Sequence, residues 1–458
     1  MGGGPGGYVA AIRAAQMGAK VACIEEDKLG GICLNWGCIP TKTFIATAHL
    51  YRKIQDAAEF GIDIAGTPQI NLAKMVERKN KVVNELVSGI GFLFKSYGVT
   101  TYNGFGYFDG KNKLAVDMQD GTTKVIEADK IIVATGSRPM NIPAFPFNGN
   151  TIISSDELIY PKSIPATMTI IGGGVIGCEF ACLLAQLGTK VNVVEMLPNL
   201  LPLEDIDSSK TIERELKKHG AEIFTGEKVL SVEETPAGVV CKLQSGKALT
   251  SERVLVAIGR SFNTDDINVD AAKLEMNKNG SIKVNDKMET SAKGIYAIGD
   301  CAGVYLLAYT ASYEGQIAVA NALGKNKKVD YNAVPITIFT DPEVGSIGLS
   351  QQKAESEGHE IRIGQFQFRV LGKSKAEREI VGGVKIIADK KTDKILGAHI
   401  VGAHATDLIH EVAVAMSQKM TAEQLGDVFH AHPVLAEAVM EAAHDVHGLS
   451  VHTAKKTK

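Results

Sequence analysis

Two cysteines, Cys33 and Cys38, stand five positions apart in the stretch Gly30-Gly31-Ile32-Cys33-Leu34-Asn35-Trp36-Gly37-Cys38-Ile39-Pro40-Thr41-Lys42, with the only tryptophan of the chain between them. Pro40 opens an apolar run of helical spacing (Phe44, Ile45, Ala48, Leu50). Proline suits a first helical turn because its missing N–H is not needed there. A helix beginning near Cys38 points free amides and the positive end of its dipole at that sulfur, which lowers a thiol pKa. Such a pair can cycle between dithiol and disulfide. A structural bridge or half of a zinc site would use the same residues, but zinc needs a second ligand pair at ligand spacing and none follows, so no metal is expected.

A second group that could do chemistry lies near the other end, in His430-Ala-His432-Pro433-Val-Leu-Ala-Glu437. With Pro433 at a first helical position, His432 falls at the cap and Glu437 just over a turn along. The carboxylate can then orient the imidazole, fix its tautomer and raise its pKa. That suits a base taking a proton from a dithiol and returning it to a leaving thiolate. The plainer reading is a capping histidine beside a solvated glutamate. His430 and His444 lack such a partner in the sequence and read as structural.

Two glycine-rich turns must position this chemistry. In the second, the strand Thr167–Ile171 runs into Gly172-Gly173-Gly174-Val175-Ile176-Gly177, then a helix to Leu187, then the strand Lys190–Val194 closed by Glu195. Gly172 and Gly174 allow a tight turn and close approach to a pyrophosphate, Gly177 lets helix pack on strand, and the helix N-terminus faces phosphate. An acid closing the second strand suits a ribose 2′-hydroxyl and repels a 2′-phosphate, which favours NAD over NADP. The first copy has Gly2, Gly4 and Gly7, a helix from Tyr8 to Met17, and a strand ending on Glu25. Only Met1 stands where the strand before Gly2 belongs. The expectation is a sequence shortened at this end, or else a chain that holds its first nucleotide poorly. Cys178 and Cys182, on one face of the second helix, read as core packing.

Further strands end at Ala134-Thr135-Gly136, at Gly259 and at Gly299-Asp300, while the segment from Leu307 to Gly315 opens a helix. Residues 44–97 read as mainly helical with a hairpin-like interruption near 60–71. From Val334 onward strands give way to helices. A length of 458 residues implies several domains. The net charge of −3 offers no basic footprint for nucleic acid, and no apolar run is long enough to span a membrane. The short basic tail from His452 to Lys458 reads as frayed. Seven cysteines without a framework spacing fit a reducing compartment, so a cytoplasmic location is expected, with an organelle matrix as the alternative.

The run GGICLNWGCIPTK resembles the active-site disulfide signature of the flavin-dependent disulfide oxidoreductases, in the form carried by their dihydrolipoamide-oxidising members; the similarity extends from residue 2 to about 449. The resemblance implies an α/β fold of two Rossmann-like dinucleotide-binding domains plus an α+β dimerisation domain. Its boundaries would be 1–144 for FAD, 145–264 for NAD, 265–333 for a central domain completing the FAD site, and 334–458 for the dimer interface. FAD would meet Gly2, Gly4, Gly7, Glu25, Lys42, Ala134, Thr135, Gly136, Asp300 and Ala308. NAD would meet Gly172, Gly174, Gly177, Glu195 and Gly259. Lys42 would pair with Glu179 near the flavin, Cys33 would exchange with the substrate, and Cys38 would face the flavin. In a homodimer, His432 and Glu437 of one subunit would complete the disulfide site of the other. Lipoyl domains of 2-oxoacid dehydrogenase or glycine-cleavage complexes would be the partners. Many relatives carry His where Tyr309 stands. Glutathione reductase-like and mercuric reductase-like readings conflict with Glu195 and with the absence of cysteine after Cys301, respectively; a non-catalytic assembly subunit conflicts with the intact four-residue set Cys33, Cys38, His432 and Glu437.

Overall fold

The strand–glycine–helix unit around Gly172 lies at the centre of a parallel sheet in the computed structural model, which describes residues 1–454. The Thr167–Ile171 strand is a β-branched, apolar run buried on both faces, as a central parallel strand must be. It pairs with Lys190–Glu195 on one side and Arg253–Val256 on the other, and Glu222–Thr225 and Ile152–Ile153 form the edges. Gly172 turns the chain with φ +107°, and a Cβ on Gly177 would sit 1.9 Å from the Gly172 carbonyl oxygen. Only glycine lets the Val175–Gln186 helix lie this close to the strand. An antiparallel sheet of Val229–Thr235, Gly238–Leu243 and Ala248–Ser251 flanks the unit.

The first unit repeats this geometry. Gly2 has φ +95°, a Cβ on Gly7 would lie 1.8 Å from the Gly2 oxygen, and the helix runs Pro5–Gln16. Its sheet, however, stands in two pieces. Ala22–Glu25 pairs with Thr100–Phe108, which continues into Lys113–Met118 and Thr123–Glu127, while Ile131–Val133 pairs separately with Ile295–Ala297. Met1 and Gly2 bridge them: the Met1 amine donates to the Ile132 carbonyl at 2.9 Å, the Met1 carbonyl accepts from Ala134 N–H at 2.7 Å, and Gly2 N–H donates to Ile24 O at 2.8 Å. In the second unit the equivalent bonds are Ala257 N–H to Ile171 O and Gly172 N–H to Val194 O, both 2.8 Å. Met1 therefore holds the position of Ile171, one residue where the second unit has a five-residue strand.

The helix Cys38–Gln55 is the hub. Its Phe44, Ile45 and Ala48 share one core with Met168, Phe180 and Cys182 of the second unit and with Ile338 and Val344 further on. The final part is an antiparallel sheet in the order Pro335–Ile338, Glu343–Gly348, Ile395–Gly402, Gly383–Asp389, Ile361–Gln367, backed by Ala405–Ser417 and Glu437–Asp445.

Three local expectations need correction. Residues 61–71 form no hairpin; the chain passes from a short 3₁₀ turn (Ala57–Phe60) to Asn71, whose side chain caps the Leu72–Ser96 helix by accepting from Lys74 N–H at 3.0 Å. Pro433 is not a first helical residue: the helix starts four residues later, at Glu437. His430 does have a carboxylate partner, Glu411 at 2.6 Å, which lies 19 residues upstream and so has no local signature in the sequence. Within the tail expected to fray, His452 Nδ1 lies 2.7 Å from Glu441, and residues 455–458 fall outside the described ones. No described helix is long and apolar enough to cross a membrane.

Candidate active site

Gly30 and Gly31, both at positive φ, bring the chain under the first glycine turn, where Gly30 N–H donates to Gly3 O at 2.8 Å. The Gly31–Asn35 turn of helix then carries Cys33, and Cys38 is the first residue of the 18-residue hub helix. The two thiols lie close enough to compete for one proton. That competition, with burial, pushes the Cys33 thiol up. The same competition, opposed by burial and aided by the Lys42 ammonium, brings Cys38 down to about 7. The dithiol is thus asymmetric, with the stable thiolate on the helix N-terminal sulfur.

Lys42, one turn along the same helix, reaches Glu179 of the second unit, with Nζ 2.8 and 2.7 Å from the two carboxylate oxygens. Glu179 is 4% exposed, so this pair, not a solvated first-turn acid, is what the helix carries.

The residues expected for the first nucleotide converge. Glu25 accepts from Gly3 N–H at 2.6 Å and Asp27 N–H at 3.0 Å. Glu195 does the same in the second unit, from Gly173 N–H at 2.7 Å and Leu197 N–H at 2.8 Å. Each acid is thereby fixed at the end of its strand beside its glycine turn. A cavity of about 490 Å³ opens at Gly2, Glu25, Gly106 and Thr135, and Thr135 Oγ1 is buried without a partner. Gly4 and Gly174, which cap the two twelve-residue helices, have no side chain or backbone closing over them within 3.5 Å. Asp300 lies in the 3₁₀ turn Gly299–Ala302 and accepts from Ser137 Oγ; Arg260 donates to the same hydroxyl at 2.6 Å. Gly299 N–H is held by buried Glu314 at 2.6 Å. Ala308 begins the Ala308–Ala322 helix, whose Gly315 packs against Gly6. Gly259 follows the Arg253–Val256 strand at φ +132°. These residues fit two dinucleotides, one on each glycine turn. Ser137, Arg260 and Glu314 belong to this set and carry no motif that sequence reading could pick out.

His432 sits apart. Its Nδ1 lies 2.8 Å from Glu437 Oε1, and Val434 N–H donates to the other oxygen at 3.0 Å. Burial opposes ionisation of Glu437, but the bonds from His432 and Val434 outweigh it and hold the carboxyl below its ordinary value. The imidazole is 77% exposed, and no bond joins it to either cysteine among the described residues.

Two dinucleotide cradles around an asymmetric cysteine pair define a disulfide oxidoreductase that moves electrons between a dithiol and a nicotinamide nucleotide. The chain belongs to the pyridine nucleotide-disulphide oxidoreductases: that family's model matches residues 1–315, and the model of its dimerisation domain matches residues 334–443. It is 39% identical to a dihydrolipoyl dehydrogenase of Bacillus subtilis, over 99% of this chain and 98% of that one. It is 38% identical to the mitochondrial dihydrolipoyl dehydrogenase of Pisum sativum, over 99% and 91%. The crystal structure of LpdA from Mycobacterium tuberculosis superposes with a TM-score of 0.91 at 29% identity, covering 97% of this chain and 98% of that one.

Proposed function

We propose that this chain is an NAD-dependent flavoprotein that oxidises protein-bound dihydrolipoamide to lipoamide. The observation that carries the reading is geometric: Cys38 opens the hub helix five residues after Cys33, and Lys42, one turn along, is held by Glu179 of the second glycine-turn unit at 2.7 and 2.8 Å.

FAD would be held by Gly2, Gly4, Gly7, Glu25 and Asp300 and would supply a two-electron acceptor; NAD would be held by Gly172, Gly174, Gly177 and Glu195 and would supply a hydride acceptor. The chain's own residues handle the sulfur and the protons. In the oxidised state Cys33 and Cys38 form a disulfide. A dihydrolipoamide thiolate attacks Cys33, the S–S bond breaks, and the electron pair leaves on Cys38, where the helix N-terminus and Lys42 accept the charge. The second substrate thiol loses its proton to His432 and displaces Cys33 from the mixed disulfide, giving lipoamide and the Cys33 thiol. His432, oriented by Glu437, returns that proton to the departing Cys33 thiolate.

His432 comes from a second copy in this reading. Its exposure, and the fully exposed Phe429 three residues before it, support a surface that a partner subunit covers. The domains are read as 1–144, 145–264, 265–333 and 334–458, the site lies in the cytoplasm, and the macromolecular partners are lipoyl domains. Turnover with free dihydrolipoamide and NAD+ tests the proposal: reduction of NAD+ that Cys33→Ser abolishes supports it, and equal turnover by that variant overturns it.

A further inference from the structure

The Lys42–Glu179 pair is held from a third direction, by a residue of the C-terminal domain. Phe339 follows the Pro335–Ile338 strand. Its backbone N–H donates to Glu179 Oε1 at 3.0 Å, the oxygen that also accepts from Lys42 at 2.8 Å. Its ring centroid lies 4.5 Å from Lys42 Nζ. One residue therefore grips both members of the pair, the acid through its main chain and the ammonium through its aromatic face. The same segment is pinned on both sides of Phe339. Tyr309 hydroxyl donates to the Pro335 carbonyl, and Asp341 accepts from Gln186 and pairs with Arg52 at 2.9 Å. These contacts fix the chain on either side of the ring.

We propose that Phe339 is a positioning residue for the disulfide chemistry: its ring keeps the Lys42 ammonium over the Cys38 side of the site, so that the thiolate leaving group is stabilised by a cation of fixed position. The inference rests on the disulfide reading above. A carboxylate alone allows an ammonium several placements, because its two oxygens offer about four acceptor sites. An aromatic face attracts the cation from the remaining side and selects one. The charged and titratable groups facing Cys38 are Cys33, Lys42 and Glu179, with the Tyr309 phenol close enough to sense its charge.

The test is the pH dependence of Cys38 alkylation in the reduced holoprotein, resolved from Cys33 by peptide mass spectrometry. It is run in wild type, Phe339→Leu, Phe339→Met and Phe339→Tyr. Leu and Met keep the main-chain bond and the bulk but remove the aromatic face, and the second stands in if the first does not fold. Expected is an upward shift of the midpoint by about half a unit to one unit in Leu or Met, with Tyr restoring the wild-type value. Retention of flavin and thermal stability serve as controls that a general packing defect would move. A wild-type midpoint near 7 that is unchanged in Leu and Met, or a shift that Tyr does not rescue, overturns the role of Phe339. A wild-type Cys38 that titrates as an ordinary thiol overturns the disulfide reading beneath it.

Discussion

Lys42 and Glu179, 137 residues apart in the chain, meet with both carboxylate oxygens within 2.8 Å of one ammonium. The contact joins the helix that starts at Cys38 to the helix that starts beside the second glycine turn. It sets a paired cation one helical turn from Cys38 and ties that helix to the unit of the second glycine turn.

Removing that cation should raise the Cys38 thiol. In Lys42→Met, Cys38 loses the ammonium that helps lower it and keeps the Glu179 carboxylate that raises it. Its alkylation midpoint should move upward by about one unit or more. Stability should fall by roughly 1–3 kcal/mol, since a buried carboxylate is left without its partner, measured by denaturant unfolding.

The two cysteines are also separable by the proton they compete for. Cys33→Ala removes the donor that holds Cys38 low and should shift its midpoint up, whereas Cys33→Ser keeps a donor and should shift it less. Both variants should lose turnover with dihydrolipoamide, because neither can form the disulfide. Equal midpoints in the two variants would contradict the assigned cause.

Glu437, proposed to orient His432, also bears on acid stability. Its folded pKa lies below the ordinary 4.5, so its contribution to stability is full above that value and is lost as pH falls through the folded pKa. Glu437→Gln should flatten the loss of stability below about pH 4.5, read from thermal unfolding across pH 3–6. Turnover should drop by about 10²-fold, the order expected when a general base loses its orienting partner.

Gly177→Ala places a methyl 1.9 Å from the Gly172 oxygen, where strand and helix backbones touch. Neither can withdraw without breaking the central sheet. Destabilisation of about 3 kcal/mol or more is expected, measured by chemical denaturation, together with weakened NAD binding. Gly174→Ala meets no neighbouring atom and should leave stability nearly unchanged while obstructing the nucleotide.

Much of this site was legible in the sequence because the decisive signals are local. The spacing of Cys33 and Cys38, the glycines of each turn and the acids Glu25 and Glu195 each lie within one strand–turn–helix unit. Local geometry fixes what such residues can do. Contacts closed by the fold left no such trace. Phe339 reads as one more apolar residue after a strand, yet it reaches Glu179 160 positions away. Ser137 and Arg260 lie beside Asp300 only because two strand exits are brought together. The helix starts at Glu437 rather than at Pro433, since a proline after histidine is compatible with either a helix start or a turn. The His432–Glu437 contact survives this change because it depends on the turn between them.

If both nucleotide cradles and the cysteine pair form one path for electrons, the visible absorption spectrum of the purified chain will show it, recorded before and after anaerobic addition of dihydrolipoamide. Bound flavin is expected at the start and, after addition, a long-wavelength band from the Cys38 thiolate to the flavin that is absent in Cys38→Ser. A colourless protein, or a flavoprotein whose spectrum dihydrolipoamide leaves unchanged, would contradict it.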